Sequence, residues 1–160
     1  MVHLHLVAVF TAITMLTAPV SNAVKAVLPM TTADYAVACG MTEDEFVLLS
    51  SICQAEGNRS NDPYDSGMVL IAETILNRVR SPQFPNSISE VISQPNQFST
   101  YVGGCSIVDR TETSDMAVRI AVQEIEQGIA PNVVYFNCIS YSYGQPYCNV
   151  GGNFFSTEEL

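Results

Sequence analysis

Apolar residues recur at helical spacing in four stretches of this chain, and each stretch begins beside a small polar residue that can cap a helix. In the first, Phe46, Leu49 and Cys53 fall at i, i+3 and i+7, and Glu56 follows three residues later on the same face. Thr42-Glu43-Asp44-Glu45 supplies the start, a T-x-x-E capping box whose acidic residues also suit the positive end of the helix dipole. Gly57-Asn58 supplies the stop. A second helix is predicted from Asp65 or Ser66, with Met68, Ile71, Ala72, Ile75, Leu76 and Val79 inward. Ser81-Pro82 ends it, because a residue before proline avoids the helical region. Ser87-Ile88-Ser89-Glu90 repeats the capping pattern and opens a short third helix through Ile92, stopped by Gln94-Pro95. Thr111 or Thr113 caps a fourth, with Ala117, Ile120, Ala121, Glu124 and Ile125 at helical spacing and Gly128 then Pro131 as its stop.

Elsewhere the pattern changes. Val133 to Asn137 is β-prone, and the tail from Gly152 to Ser156 is expected to pair with it or lie beside it. Residues 24–41 show no clear periodicity and read as a linker. Leu4 to Ala18 is apolar, and Ser21-Asn22-Ala23 offers small residues at a signal peptidase site, so residues 1–23 read as a secretory signal peptide. That leader lacks Lys and Arg, which leaves an uncleaved N-terminal anchor as the alternative. Residues 42–160 then form one domain, α+β and mainly α, with a small β element near the C-terminus.

Composition narrows the partners. With 48% hydrophobic and 14% charged residues the chain is globular, and a net charge of −10 argues against nucleic acid or an anionic bilayer, which need a basic surface. No stable membrane partner is expected beyond a leader that stays as an anchor. Histidine occurs only at positions 3 and 5, and the five cysteines, Cys39, Cys53, Cys105, Cys138 and Cys148, have no zinc-site spacing. Neither a metal nor a cofactor is expected. In an exported chain disulfides are permitted; Cys138 and Cys148 flank a Tyr/Ser/Gly/Pro loop that a bridge would clip shut, and Cys53 reads as a small buried hydrophobe.

Glu56 is the candidate catalytic group. A carboxylate on the inward face of a helix's last turn has two reasons to hold its proton, partial burial and the negative helix end, and that suits a general acid near neutral pH. On spacing alone, a solvent-facing helix-end glutamate is the commoner outcome. Further along, Asn96-Gln97-Phe98-Ser99-Thr100-Tyr101 alternates amide, ring and hydroxyl groups of the kind that meet a sugar's acetamido, hydroxyl and apolar faces. Tyr135, Phe136, Tyr141, Tyr143, Tyr147, Phe154 and Phe155 concentrate aromatic surface in the last quarter, some of it core and some suited to the wall of a saccharide groove.

Several of these segments together resemble a known family. Cys53-Gln54-Ala55-Glu56-Gly57-Asn58, the apolar helix from Gly67 closing on Leu76-Asn77-Arg78-Val79, Phe84-Pro85-Asn86-Ser87-Ile88 and Gln97-Phe98-Ser99 stand in the order found in the SleB-type cell wall hydrolases, the spore cortex-lytic enzyme catalytic domains. Val134 to Asn137 and Gly151 to Phe155 resemble the family's closing part more loosely. The resemblance implies a lysozyme-like, lytic transglycosylase-like fold and an exported protein that acts on peptidoglycan glycan strands. Glu56 would be its acid/base, cutting between N-acetylmuramic acid and N-acetylglucosamine. Gln97 and Ser99 would orient the glycan, Tyr101 or Tyr135 would stack on or hydrogen-bond a sugar ring, and Asn153 would contact it where the family often has histidine. Asn77, Arg78 and Phe98 would support the floor; for Arg78 a solvated helix-end cation is the competing reading. The chain departs from the family in the loop 57–65, where the usual second glutamate is missing and Asp62 and Asp65 stand instead. A hydrolytic, lysozyme-type muramidase using either aspartate, and a glycan-binding module without catalysis, are the alternatives. A metal-dependent amidase fits poorly without histidine.

Overall fold

The computed structural model describes residues 29–57, 66–98 and 110–158. Among them the elements run α1 (Thr32–Ala38), α2 (Glu43–Gly57), α3 (Ser66–Arg80), α4 (Ile88–Ile92), α5 (Glu112–Gln127), β1 (Val133–Asn137), β2 (Gln145–Val150) and β3 (Asn153–Thr157). No described helix is long and apolar enough to cross a membrane. The architecture is mainly helical with one small sheet, the fold class expected from the sequence.

The capping predictions hold where they can be seen. The Thr42 backbone N–H donates to Glu45 Oε2 at 2.9 Å while the Glu45 N–H donates to Thr42 Oγ1 at 3.2 Å. The Thr42 N–H and then the Thr42 hydroxyl, both donating to that carboxylate, hold it below its usual range. Ser87 caps α4 through the Glu90 N–H, and Thr111, of the two threonines considered, caps α5. Gly128 closes α5 at φ 69, a left-handed conformation that favours glycine.

α3 is the central element, buried continuously from Gly67 to Ile75 between α2, α5 and β1. One apolar stripe was expected. Both faces are covered, and Glu73 is enclosed with them. On α5 the inward stripe is Ser114, Ala117, Val118, Ala121 and Val122, while Ile120, Glu124 and Ile125 sit at its margin. The rotation has a polar cause: Ser50 of α2 donates to Asp115 Oδ1 at 2.7 Å and lies 2.9 Å from Ser114 Oγ, which turns that face inward.

The linker expected over residues 24–41 is corrected in its described part. Thr31 and Asp34 form a capping box for α1, Tyr35 and Ala36 are buried, and the Tyr35 ring stacks on Phe46 at 5.6 Å. Arg110, paired with Asp115 and bonded to Thr32 Oγ1, ties α1 to α5. The segment thus packs as part of the domain.

The sheet has the order β1-β3-β2, with β3 central and antiparallel to both neighbours. Pairing of the tail with Val133–Asn137 was expected; β2 was not. It begins within the stretch read as a loop between Cys138 and Cys148 and runs on to Val150, and it joins β3 through Gly151-Gly152, both at positive φ (59° and 81°), the signature of a tight hairpin. At Gly144 (φ 68) an added Cβ would lie 1.8 Å from the Thr157 carbonyl oxygen, so only glycine lets the chain enter β2. The Cys138–Cys148 bridge that the sequence permits is not formed: both thiols are free, and strand pairing holds Cys148 opposite Phe155. Cys53 is fully buried, as expected, and burial pushes its thiol far up.

Two predictions arise from this packing. A Cβ on Gly57 would meet Met68 Cγ at 2.5 Å and Met68 Cα at 3.4 Å, so Gly57→Ala must push the end of α2 off α3. Denaturant titration should show a loss of about 1–3 kcal/mol. Glu73 is fully buried, and burial first, then the neighbouring Glu124 carboxyl, raises its pKa from 4.5 to about 8. Because the folded value lies above the unfolded one, the folded state holds one proton more between them. Stability should therefore fall as pH rises from about 4.5 through about 8. Glu73→Gln should remove that component of the decline, read from unfolding curves across the range.

Candidate active site

Three elements converge on the end of α2. Phe46, Leu49 and Cys53 anchor the inward face of that helix with no exposure, which fixes the rotation of its last turn and leaves Glu56 half-buried at the rim. Asn153, buried at the start of β3, donates from Nδ2 to the Glu56 backbone carbonyl at 3.4 Å. The glycine-turned hairpin and the catalytic candidate are thereby joined.

α3 fixes the opposite side. Asn77 Nδ2 donates to the Pro131 and Val133 carbonyls, each at 3.0 Å, and Arg78 Nε donates to the Val134 carbonyl at 2.6 Å. These bonds pin β1 to the helix. Arg78 is 3% exposed, so the solvated-cation reading fails. Its guanidinium carbon lies 5.1 Å from the Phe84 ring centre and 5.9 Å from that of Phe98, two cation–π contacts that offset part of its desolvation. Burial still pulls the group down to about 10, and Nη1 has no hydrogen-bond partner among the described residues.

Between these elements lies a cavity of about 260 Å3. Glu56, Arg78, Gln97, Tyr135 and Asn153 line it, so five of the residues singled out in the sequence share one space. Phe98 is buried behind the wall, 5.9 Å from the Phe136 ring, and Asn77 acts from outside by holding β1. Ser99, Tyr101, Asp62 and Asp65 lie outside the described residues. Among the described lining groups Glu56 is the one carboxylate and Arg78 the one cation.

Sequence reasoning missed Asn137 and Ser142, which add an amide and a hydroxyl to the lining, and Ser156 and Cys138 beside them. Asn96 adopts φ 63, a left-handed conformation that asparagine tolerates, and this turn brings Asn96 and Gln97 to the cavity together. Gln94-Pro95, which stops α4, was the signal for that turn. The aromatic tail divides. Tyr135, Phe136, Tyr143 and Phe154 line the cavity, with Tyr135 5.7 Å from Tyr143; Tyr141 meets Phe154 edge-on at 5.1 Å; Phe155 is core. A space of this size with amides, hydroxyls and ring faces around one acid can hold a sugar ring and place a proton on it.

The family description Cell Wall Hydrolase matches residues 62–149, a span that begins just past Glu56. The spore cortex-lytic enzyme of Bacillus subtilis (strain 168) is 36% identical over 83 residues, 52% of this chain and 26% of that protein. That of Bacillus cereus is 34% identical over 83 residues, 52% of this chain and 31% of that protein. The chain thus matches less than a third of the length of these relatives. The crystal structure of the catalytic domain of Bacillus cereus SleB superposes with a TM-score of 0.57 at 27% identity, over 72% of this chain and 91% of that one. The catalytic domain of the germination-specific lytic transglycosylase SleB from Bacillus anthracis superposes with a TM-score of 0.58 at 26% identity, over 74% of this chain and 98% of that one. The family match covers more than half of the residues and takes in much of the cavity's lining, from Arg78 to Tyr143: the chain belongs to the cell wall hydrolase family.

Proposed function

We propose that this protein is an exported peptidoglycan-cleaving lytic transglycosylase that acts between N-acetylmuramic acid and N-acetylglucosamine, with Glu56 as general acid and then base. The observation that carries the reading is the placement of Glu56 as the one carboxylate among the described groups lining a cavity of amides and rings. Glu56 in its acid form gives its proton to the glycosidic oxygen as the C1–O bond breaks and C1 takes on oxocarbenium character. The muramoyl C6 hydroxyl oxygen then closes on C1, and its proton passes to the Glu56 carboxylate. The product is a 1,6-anhydro sugar, no water is consumed, and the acid is restored. One carboxylate suffices because the nucleophile belongs to the substrate and is held close to C1.

Gln97, with Asn96 and Asn137, supplies donors and acceptors for acetamido and hydroxyl groups, and Tyr135 with Tyr143 offers ring faces. The resemblance to the family also assigns glycan contacts to Ser99 and Tyr101. Asn153 acts as a positioning residue through the Glu56 carbonyl. The names of the relatives, spore cortex-lytic enzymes and a lytic transglycosylase, support peptidoglycan as substrate and action outside the cytoplasm, which the leader at residues 1–23 would serve.

Digestion of purified peptidoglycan, with products separated and weighed, tests the proposal. Anhydro-muropeptides from the parent support it. Reducing ends would point to a hydrolase drawing on Asp62 or Asp65, and binding without cleavage by the folded parent would leave a glycan-binding module.

A further inference from the structure

An open groove of about 670 Å3 lies where α3 runs out into the turn before α4, and it shares no lining residue with the cavity at Glu56. The two are neighbours: Phe84 lines the groove, Tyr135 lines the cavity, and their rings meet edge-on at 6.1 Å. The turn that carries the groove is held on three sides. Ser81 donates from Oγ to Glu158 Oε1 at 2.9 Å, the same hydroxyl accepts from the Gln83 N–H at 3.2 Å, and the Phe84 ring rests 5.1 Å from the buried Arg78 guanidinium. Pro82, Phe84 and Pro85 give the groove hydrocarbon and Asn86 an amide, while Arg80 and Glu90 give it one charge of each sign.

Arg80 sets this groove apart. The chain has a net charge of −10 and six lysines and arginines. Of the four that are described, Arg78 is buried, Arg110 pairs with Asp115, and the half-buried Arg119 donates to the Met30 sulfur at 3.5 Å. Arg80 is exposed, and its guanidinium has no ion pair or hydrogen bond among the described residues, with Glu90 or any other. Glu90, also exposed, holds the Ser87 hydroxyl on one oxygen at 2.8 Å and has the other to offer.

We propose, resting on the glycan reading of the cavity at Glu56, that this groove holds the peptide stem that a peptidoglycan strand carries on its muramoyl residue, with a stem carboxylate on Arg80 and a stem ammonium at Glu90. A cavity of about 260 Å3 is taken up by a sugar ring, so a muramoyl ring seated there sends its stem into adjoining space. The groove across the Phe84–Tyr135 edge is open to it. Ring and proline faces meet the stem's short apolar side chains, the Asn86 amide meets its backbone, and the two charges match a peptide that bears both carboxylates and an amine. A bare stretch of glycan would leave Arg80 and Glu90 without a partner.

The whole chain carrying Glu56→Gln tests the site by binding alone, apart from the fate of the glycosidic bond. Three forms of one muramoyl glycan fragment are titrated into it: with intact stems, with the stem carboxyls converted to amides, and with the stems removed by an amidase. The intact form should bind most tightly. Adding Arg80→Ala should weaken it by about five-fold, the upper end for an exposed ion pair, and leave the amidated and stemless forms unchanged. Arg119→Ala, which removes the same charge elsewhere, should leave all three as they were, and raised salt should shrink the preference. No binding, equal affinity for the three forms, or an Arg80→Ala loss that persists with stemless glycan or is matched by Arg119→Ala would overturn the proposal. Digestion products report on the single-acid route separately: anhydro sugars with no stem preference would sink the groove and keep that route, and reducing ends with an Arg80-dependent preference would do the reverse.

Discussion

Glu56→Gln should lower the rate of peptidoglycan cleavage by about 100- to 10,000-fold, the range general acid–base catalysis contributes, while the protein unfolds within about 0.5 kcal/mol of the parent. Glutamine keeps the shape and polarity of the side chain at its half-buried place on the cavity rim, and the bond from Asn153 goes to the Glu56 backbone carbonyl, which the substitution leaves in place. What it removes is a proton that can be passed to the glycosidic oxygen and taken back. The comparison needs only dye release from labelled wall and one denaturation curve for each protein. A variant that keeps more than a tenth of the parent's rate would remove Glu56 from the chemistry.

Arg78→Ala should destabilise the fold by about 2–4 kcal/mol, because it strands the Val134 carbonyl and leaves a void between Phe84 and Phe98 in a site with almost no exposure. Arg78→Lys should recover little of this. An ammonium lacks the flat guanidinium that meets the Phe84 and Phe98 rings, and it cannot donate from the Nε position to β1. Since β1 carries Tyr135 and Phe136 into the cavity, both variants should also weaken binding of glycan fragments, in contrast to Glu56→Gln, which should bind them. Urea titrations with fragment binding measured in parallel check both parts. A lysine variant as stable as the parent would show that charge alone, and not the guanidinium geometry, holds the strand.

Local signals made much of this molecule legible. The capping residues Thr42, Ser87 and Thr111 and the stop at Gly128 each act over a few neighbouring bonds, so the sequence reports them directly. The Phe46, Leu49, Cys53, Glu56 spacing brought the acid to the rim because three fully buried side chains leave the helix no other rotation. The parts that were missed depend on partners distant in the chain. α1 spans only Thr32–Ala38 and is held by the Tyr35–Phe46 stack and by Arg110, neither visible in a window of its own residues. β2 is mostly exposed and polar, and only its pairing with β3 makes it a strand; Gly151-Gly152 was its available mark. Glu73 sits in an apolar run, and its burial follows from cover on both sides of α3, a tertiary fact that spacing along the helix does not report. Among site residues, Gln97, Tyr135 and Asn153 were reached through the family's order of motifs, whereas Asn137 and Ser142 come to the cavity only through the geometry around the sheet.

The single-acid route is tested most directly by running the digestion in heavy-oxygen water and weighing the muropeptides. Ring closure by the muramoyl C6 hydroxyl consumes no water, so the account predicts products lighter by one water than hydrolysed ones and free of solvent oxygen. Products that carry one heavy oxygen at the new reducing end would contradict it and assign the chemistry to a water-using, two-carboxylate hydrolase.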